Sequence, residues 1–171
     1  MTNVNRREKI KNYSYLFIFL LLVWLLLTSS FHLQEIITGL SVSLILSLFL
    51  GHYYLKLGLP PLSIKRFIFF LAYVGVLFWE IIKANFDVAY RVLHPKMPIK
   101  PGIVTIKTGL KSDIAKMILA NSITLTPGTF TLDILGDNLL IHWINVKTED
   151  VDEASKIIGG KFEKYLSVVF A

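Results

Sequence analysis

Several hydroxyls, one histidine and one aspartate gather in the C-terminal half of the chain in an order that could support acyl transfer. Ser122, Thr124, Thr126 and Thr129 surround the corner at Pro127 and Gly128, and Asp133 and His142 follow on stretches that read as paired strands. A hydroxyl nucleophile needs a base in hydrogen-bond reach and a carboxylate that orients the base. No Gly-x-Ser-x-Gly elbow leads into a helix here. Asp133 precedes a turn, where Asp commonly satisfies backbone groups. The expectation is therefore a structural cluster, not a catalytic one. Gly159, Gly160 and Lys161 likewise fall short of a phosphate loop, lacking the upstream glycine and the following Ser or Thr. The four histidines, at 32, 52, 94 and 142, are scattered without carboxylate companions, so no metal site is expected. With no cysteine, disulfides, zinc–thiolate sites, iron–sulfur clusters and thiol nucleophiles are excluded. No cofactor is expected.

The elements that would carry these residues divide sharply. Between Tyr13 and Ile82 there are five formal charges, Glu35, Lys56, Lys65, Arg66 and Glu80, and they sit at the seams of apolar blocks 13–27, 36–50 and 67–79. Runs of that kind are built for lipid. From Pro95 on, nine Lys face eight Asp and Glu, too even a balance for a nucleic-acid surface. The N-terminus has a basic start and an apolar run, as a signal peptide does, but a second apolar block follows at once, so a retained span is expected.

Both outer flanks of the first two blocks are basic and the short loop at 29–35 holds no Lys or Arg, which predicts a hairpin with both ends in the cytoplasm. Tyr13, Tyr15, Tyr53 and Tyr54 would then share one interface. Gly39, Ser43, Ser47 and Gly51 recur every fourth residue and draw a small-residue groove along the second helix. The first helix could fill it, although its bulk favours a partner from another chain. Neither block carries an ionisable group in its middle, where a proton or cation carrier would place one. The third block begins after Pro60 and Pro61, with Ser63 as a cap, and ends at His94 and Pro95. Its apolar part covers only about 20 Å, and Glu80, Lys83, Asp87 and Arg91 form one polar stripe. An amphipathic helix in the cytoplasmic interface is preferred to a third span.

Pro95, Pro98 and Pro101 predict an extended linker. Beyond it, a strand at 103–108, a helix from Asp113 to about Asn121, a strand at 129–134, a turn at Gly136 and Asp137, a strand at 139–146 and a helix at 150–170 broken at Gly159 and Gly160 give a small α+β domain of order βαββα. The expected division is a membrane hairpin at 1–59, a third helix at 60–94, a linker at 95–102 and a cytoplasmic domain at 103–171.

At residues 118–134, ILANSITLTPGTFTLDI, followed by Gly136, Asp137 and LIHWINV at 140–146, the sequence resembles the E subunit family of Mrp-type multisubunit sodium/proton antiporters. The resemblance extends back through 85–101 and the N-terminal hairpin, and similar modules are built into archaeal membrane-bound hydrogenases and related sulfur-reducing complexes. It implies a non-catalytic accessory subunit whose ion paths lie in larger partners, with small multi-span subunits, large ion-carrier subunits and the bilayer as neighbours. The motif residues it marks, with a structural role, are Thr126, Pro127, Gly128, Thr129, Asp133, Gly136, Asp137 and His142. The alternatives are a free-standing membrane-tethered adaptor or sensor and, more weakly, a membrane-bound hydrolase using His142 and Asp133.

Overall fold

A computed structural model describes residues 6–56 and 63–171, so Pro60 and Pro61 fall outside the described residues. The chain forms two compact units, divided after Leu62. The first is a pair of helices, α1 (Arg6–Thr28) and α2 (Leu33–Lys56). Ser29, with φ of 47°, makes the reversal between them, and its amide still bonds back to Leu25 O at 3.0 Å. The second unit runs α3 (Ile64–Leu93), β1 (Gly102–Lys107), α4 (Asp113–Leu125), β2 (Thr129–Leu135), β3 (Asn138–Trp143), α5 (Val151–Ile158) and α6 (Gly160–Val169).

The sheet is antiparallel in order β1-β3-β2, so β3 slots between two strands joined by the α4 crossover. Leu139 and Ile141 on β3 and Ile106 on β1 point to one face and are fully buried under helices. Leu119 and Ile123 of α4 and Phe162 and Leu166 of α6 meet them in a single core. The other face is open: Ile103, His142 and Phe130 form one cross-strand row, and each is exposed. An extra residue enters β2 between Thr131 and Asp133, a bulge that leaves Leu132 opposite no partner.

Two details differ from the sequence reading. α4 continues a full turn past Asn121, because Ser122 turns its hydroxyl back onto Ile118 O at 2.6 Å and stays within the helix. Pro127 sits just past the C-cap Thr126, as prolines do after a helix end. The segment 95–102 is also no free linker. Lys100 N bonds Ile144 O at 3.1 Å, Val146 N bonds Lys100 O at 2.8 Å, and Arg91 holds Pro98 O at 2.6 Å. α3 packs on α6, buries Tyr73 in the core and lays the half-buried Val76 and Leu77 against it, so it belongs to the same unit as the sheet.

Among the described residues, two helices are long and apolar enough to cross a membrane, α2 over Leu33–Gly51 and α3 over Ile64–Leu93, while α1 carries the shorter apolar stretch Tyr13–Thr28.

Candidate functional site

The residues singled out by the sequence fall into three places. The first is the corner after α4. Thr126 Oγ1 donates to Ser122 O at 2.9 Å, and Thr129 Oγ1 lies within bonding distance of both Ile123 O (2.7 Å) and Thr126 O (2.9 Å). These hydroxyls satisfy carbonyls that the end of α4 leaves without partners. Gly128 has φ of 92°, a conformation that side chains resist, and a Cβ there would also stand 3.0 Å from Ile144 Cγ2. Its carbonyl accepts from Ile144 N at 2.9 Å, tying the corner to the end of β3. Thr124 Oγ1 accepts from Thr131 N at 3.2 Å, Asp133 Oδ1 from Ile134 N at 2.7 Å, and Thr126 O from Thr129 N at 3.3 Å. Amides of edge strand β2 are thus occupied locally, which blunts the strand as a template for another.

Asp133 and His142 are not brought together. Asp133 is opposite Leu140, and His142 is opposite Phe130 and Ile103. No hydrogen bond or ion pair joins them among the described residues, and Asp133 serves its neighbour's amide instead. At the other hairpin end, Gly136 takes φ of 64° and Asp137 accepts from Lys116 Nζ at 2.8 Å. The same ammonium reaches Gly136 O at 2.9 Å, so Lys116 clamps the β-turn to α4. The hydrogen bond from Lys116, then its charge and that of Lys111, hold the Asp137 carboxyl below its ordinary value.

The second place is the α2 groove. Gly39, Ser43, Ser47 and Gly51 are all buried, while Leu44, Ile45 and Leu48 around them are exposed. The occupant is α1. A Cβ on Gly39 would lie 2.5 Å from Trp24 Cδ1, and one on Gly51 would overlap the Tyr13 ring. Trp24 Nε1 also donates to Glu35 O at 3.1 Å. The bulk that pointed to another chain is instead what fits: flat rings lie in notches where α2 has no side chain. Ser47 Oγ returns to Leu44 O at 2.9 Å, so this hydroxyl is satisfied within its own helix.

The third place is the polar stripe of α3, which faces its own domain. Glu80 is ion-paired with Lys83 at 2.8 Å and with Lys161 of α6. Arg91 grips Asp87 with two bonds of 2.8 and 3.0 Å. Tyr73 OH and Ser122 Oγ, both buried, are 2.6 Å apart and link α3 to α4. A cleft of about 270 Å³ runs between the stripe and the corner, lined by Glu80, Asp87, Arg91, Thr126, Lys147 and Lys161. Its carboxylates are already matched by the cations beside them. Sequence reasoning passed over Tyr73 and Lys116. A tyrosine inside an apolar block was the available signal, since a buried phenol needs a partner.

The family described as Na+/H+ ion antiporter subunit (MNHE) matches residues 17–169. The chain belongs to this family. The E subunit of the Na+/H+ antiporter of Bacillus subtilis (strain 168) is 30% identical over 89% of this chain and 94% of its own length. The corresponding E subunit of Alkalihalophilus pseudofirmus is 46% identical over a shorter stretch, 45% of this chain and 50% of that relative. Among solved structures, a chain of the membrane-bound sulfane sulfur reductase, an archaeal respiratory membrane complex, is 51% identical with a TM-score of 0.81, covering 94% of this chain and 99% of that one. With its apolar helices, this antiporter-subunit family member is a membrane protein.

Proposed function

We propose that the chain is a non-catalytic accessory subunit of a multisubunit cation/proton antiport module, and that the module is part of a respiratory-type membrane complex. The observation that carries the reading is the 51% identity, over nearly the full length of both chains, to a component of an archaeal respiratory membrane complex. The full-length likeness to a Na+/H+ antiporter subunit is lower, at 30%. The geometry supports an accessory role. Asp133 and His142 are separated, the corner hydroxyls bond to backbone, and the acidic side chains of the cleft are paired. Among the described residues the hairpin exposes many bulky apolar side chains, with no ionisable group midway through either helix to hold an ion. The Lys and Arg at the hairpin's outer flanks orient both ends, and with them the α+β domain, toward the cytoplasm.

Mild-detergent purification through a C-terminal tag tests this. Large multi-span subunits together with redox-enzyme subunits are expected to accompany the chain. Multi-span subunits alone would point to a free-standing antiporter, and a lone chain would leave the adaptor reading. Sidedness is tested separately with single cysteines, which the native chain lacks. An impermeant thiol reagent applied to intact cells should reach a cysteine at His32 and spare one at Lys147.

A further inference from the structure

α3 meets the length and composition of a spanning helix, yet its packing forbids a crossing. Contacts with the folded domain run along its whole length on one side. Near its start Arg66 donates to Ala171 O at 2.6 Å, and Phe69 stacks obliquely on Tyr165 with ring centres 6.4 Å apart. In the middle come the Tyr73–Ser122 and Glu80–Lys161 links, and near its end Arg91 reaches Pro98 O. A helix so clasped cannot pass through hydrocarbon without carrying α6 in with it, including Lys161, Glu163 and Lys164.

The face turned away from the domain has the opposite character. Phe67, Leu71, Phe78, Trp79, Phe86 and Leu93 are each more than half exposed, and at helical spacing they share one side. No charged residue falls among them over a helix of about 45 Å. Lys65 and Lys83 stand exposed at the border, where their stems can cover apolar surface while the ammonium stays in water. An exposed apolar face of that length is too large for water.

We infer that α3 lies flat in the headgroup region of the cytoplasmic leaflet, its outer face in lipid and the α+β domain stacked on its back. The observations favour lipid over a protein groove as the occupant. Only residues 57–63 separate the basic end of α2 from the start of α3, a tether of about 25 Å at full stretch, so α3 begins near a bilayer surface. A charge-free face edged by Trp79, Tyr90 and lysines is also the composition of an interfacial helix. An ordinary interfacial helix gives its polar stripe to water; here Glu80 pairs with Lys161 of α6 and Arg91 donates to Pro98 O. The choice of leaflet rests on the cytoplasmic reading above, whereas the depth of the helix does not.

Depth can be measured without reference to sidedness. The full chain, in the assembly as it purifies, is reconstituted into phosphatidylcholine–phosphatidylglycerol vesicles containing lipids spin-labelled near the headgroup or near the acyl-chain end. A fluorophore is placed at Leu71→Cys, Phe78→Cys or Phe86→Cys, with Leu22→Cys on α1 as the deep reference and Lys111→Cys as the water reference. An in-plane helix loses emission equally at all three positions to the shallow label, with little loss to the deep one. Strong quenching of position 78 by the deep label, with less at 71 and 86, would mean a crossing and overturn the proposal. Quenching at none of the three would mean that protein covers the face, which overturns it as well. Should the cysteine variants misfold, the native Trp79 emission, isolated by difference against Trp79→Phe, gives the same comparison. A failed orientation test with positive depth results would fault the sidedness alone.

Discussion

The hydroxyls around Pro127 show how little residue type alone says about chemistry. Each is bonded to a backbone group within seven positions of itself. We expect His142→Ala to leave stability within about 0.5 kcal/mol, because an exposed side chain on the open sheet face contacts little. Thermal unfolding of the purified chain checks this, and a large drop would show that the face is covered. Tyr73→Phe should be costlier, about 1 kcal/mol, since it removes a buried hydrogen bond while Ser122 keeps its bond to Ile118 O. The Lys116–Asp137 contact predicts a pH effect of definite sign. Its folded carboxyl is held below the ordinary value, so the contact contributes fully at neutral pH. The contribution is lost as pH falls below the ordinary carboxylate range and through the depressed value. Amide exchange at Leu139 and Ile141, corrected for the intrinsic rate, should therefore show a larger loss of protection on acidification in the native chain than in Asp137→Asn. The candidate-site residues were legible in the sequence to the extent that they were local: Asp133 before a turn, glycine where φ is positive. The Lys116 clamp joins positions twenty-one apart and depends on how α4 packs, which no local pattern reveals.

Element boundaries followed the chemistry that makes them. Ser63 stands at the N-cap of α3 without a side-chain capping bond, whereas Asp150 caps α5 by accepting from Glu153 N at 2.8 Å and Gly159 divides α5 from α6. Partners of elements were harder to read. The fourfold spacing of small residues on α2 was visible, but two flat aromatic rings of α1 filling it were not, because bulk on a sequence carries no orientation. That occupant sets the expected consequence of filling the groove. Ser43→Leu places a branched side chain in a site 1% exposed and should force α1 from α2 at a cost of about 1–3 kcal/mol. Ser41→Leu, on an exposed side of the same helix, is the matched control. Double cysteines across the hairpin, at positions that crosslink readily in the parent chain, should lose crosslinking severalfold only with Ser43→Leu. Equal crosslinking in both variants would show that the seam tolerates bulk.

At the scale of the molecule, the boundary that composition suggests is not the boundary that packing draws. Hydropathy sets α3 with the membrane half, and Pro95, Pro98 and Pro101 look like the hinge before a soluble domain. In the fold, Tyr73 of α3 joins the core that Phe162, Leu166 and Ile123 begin, Val76 and Leu77 pack against it, and the proline segment is bonded at Lys100 to both sides of Asn145. Periodicity could report that α3 has a polar stripe but not what that stripe faces. The two boundaries predict different minimal fragments. A chain of residues 63–171 keeps the whole core, so it should unfold cooperatively in mild detergent and float with lipid vesicles through its outer face. A chain of residues 103–171 keeps the sheet and α4–α6 but loses Tyr73 from the core and Phe69 from the ring of Tyr165. Exposing the surface they cover favours loosened packing or aggregation over a native state. Circular dichroism at near-ultraviolet wavelengths should show fixed aromatic signals for the longer fragment and weak ones for the shorter. A sharp, native-like melt of the shorter fragment would mean that α3 is a removable anchor and that the domain stands without it.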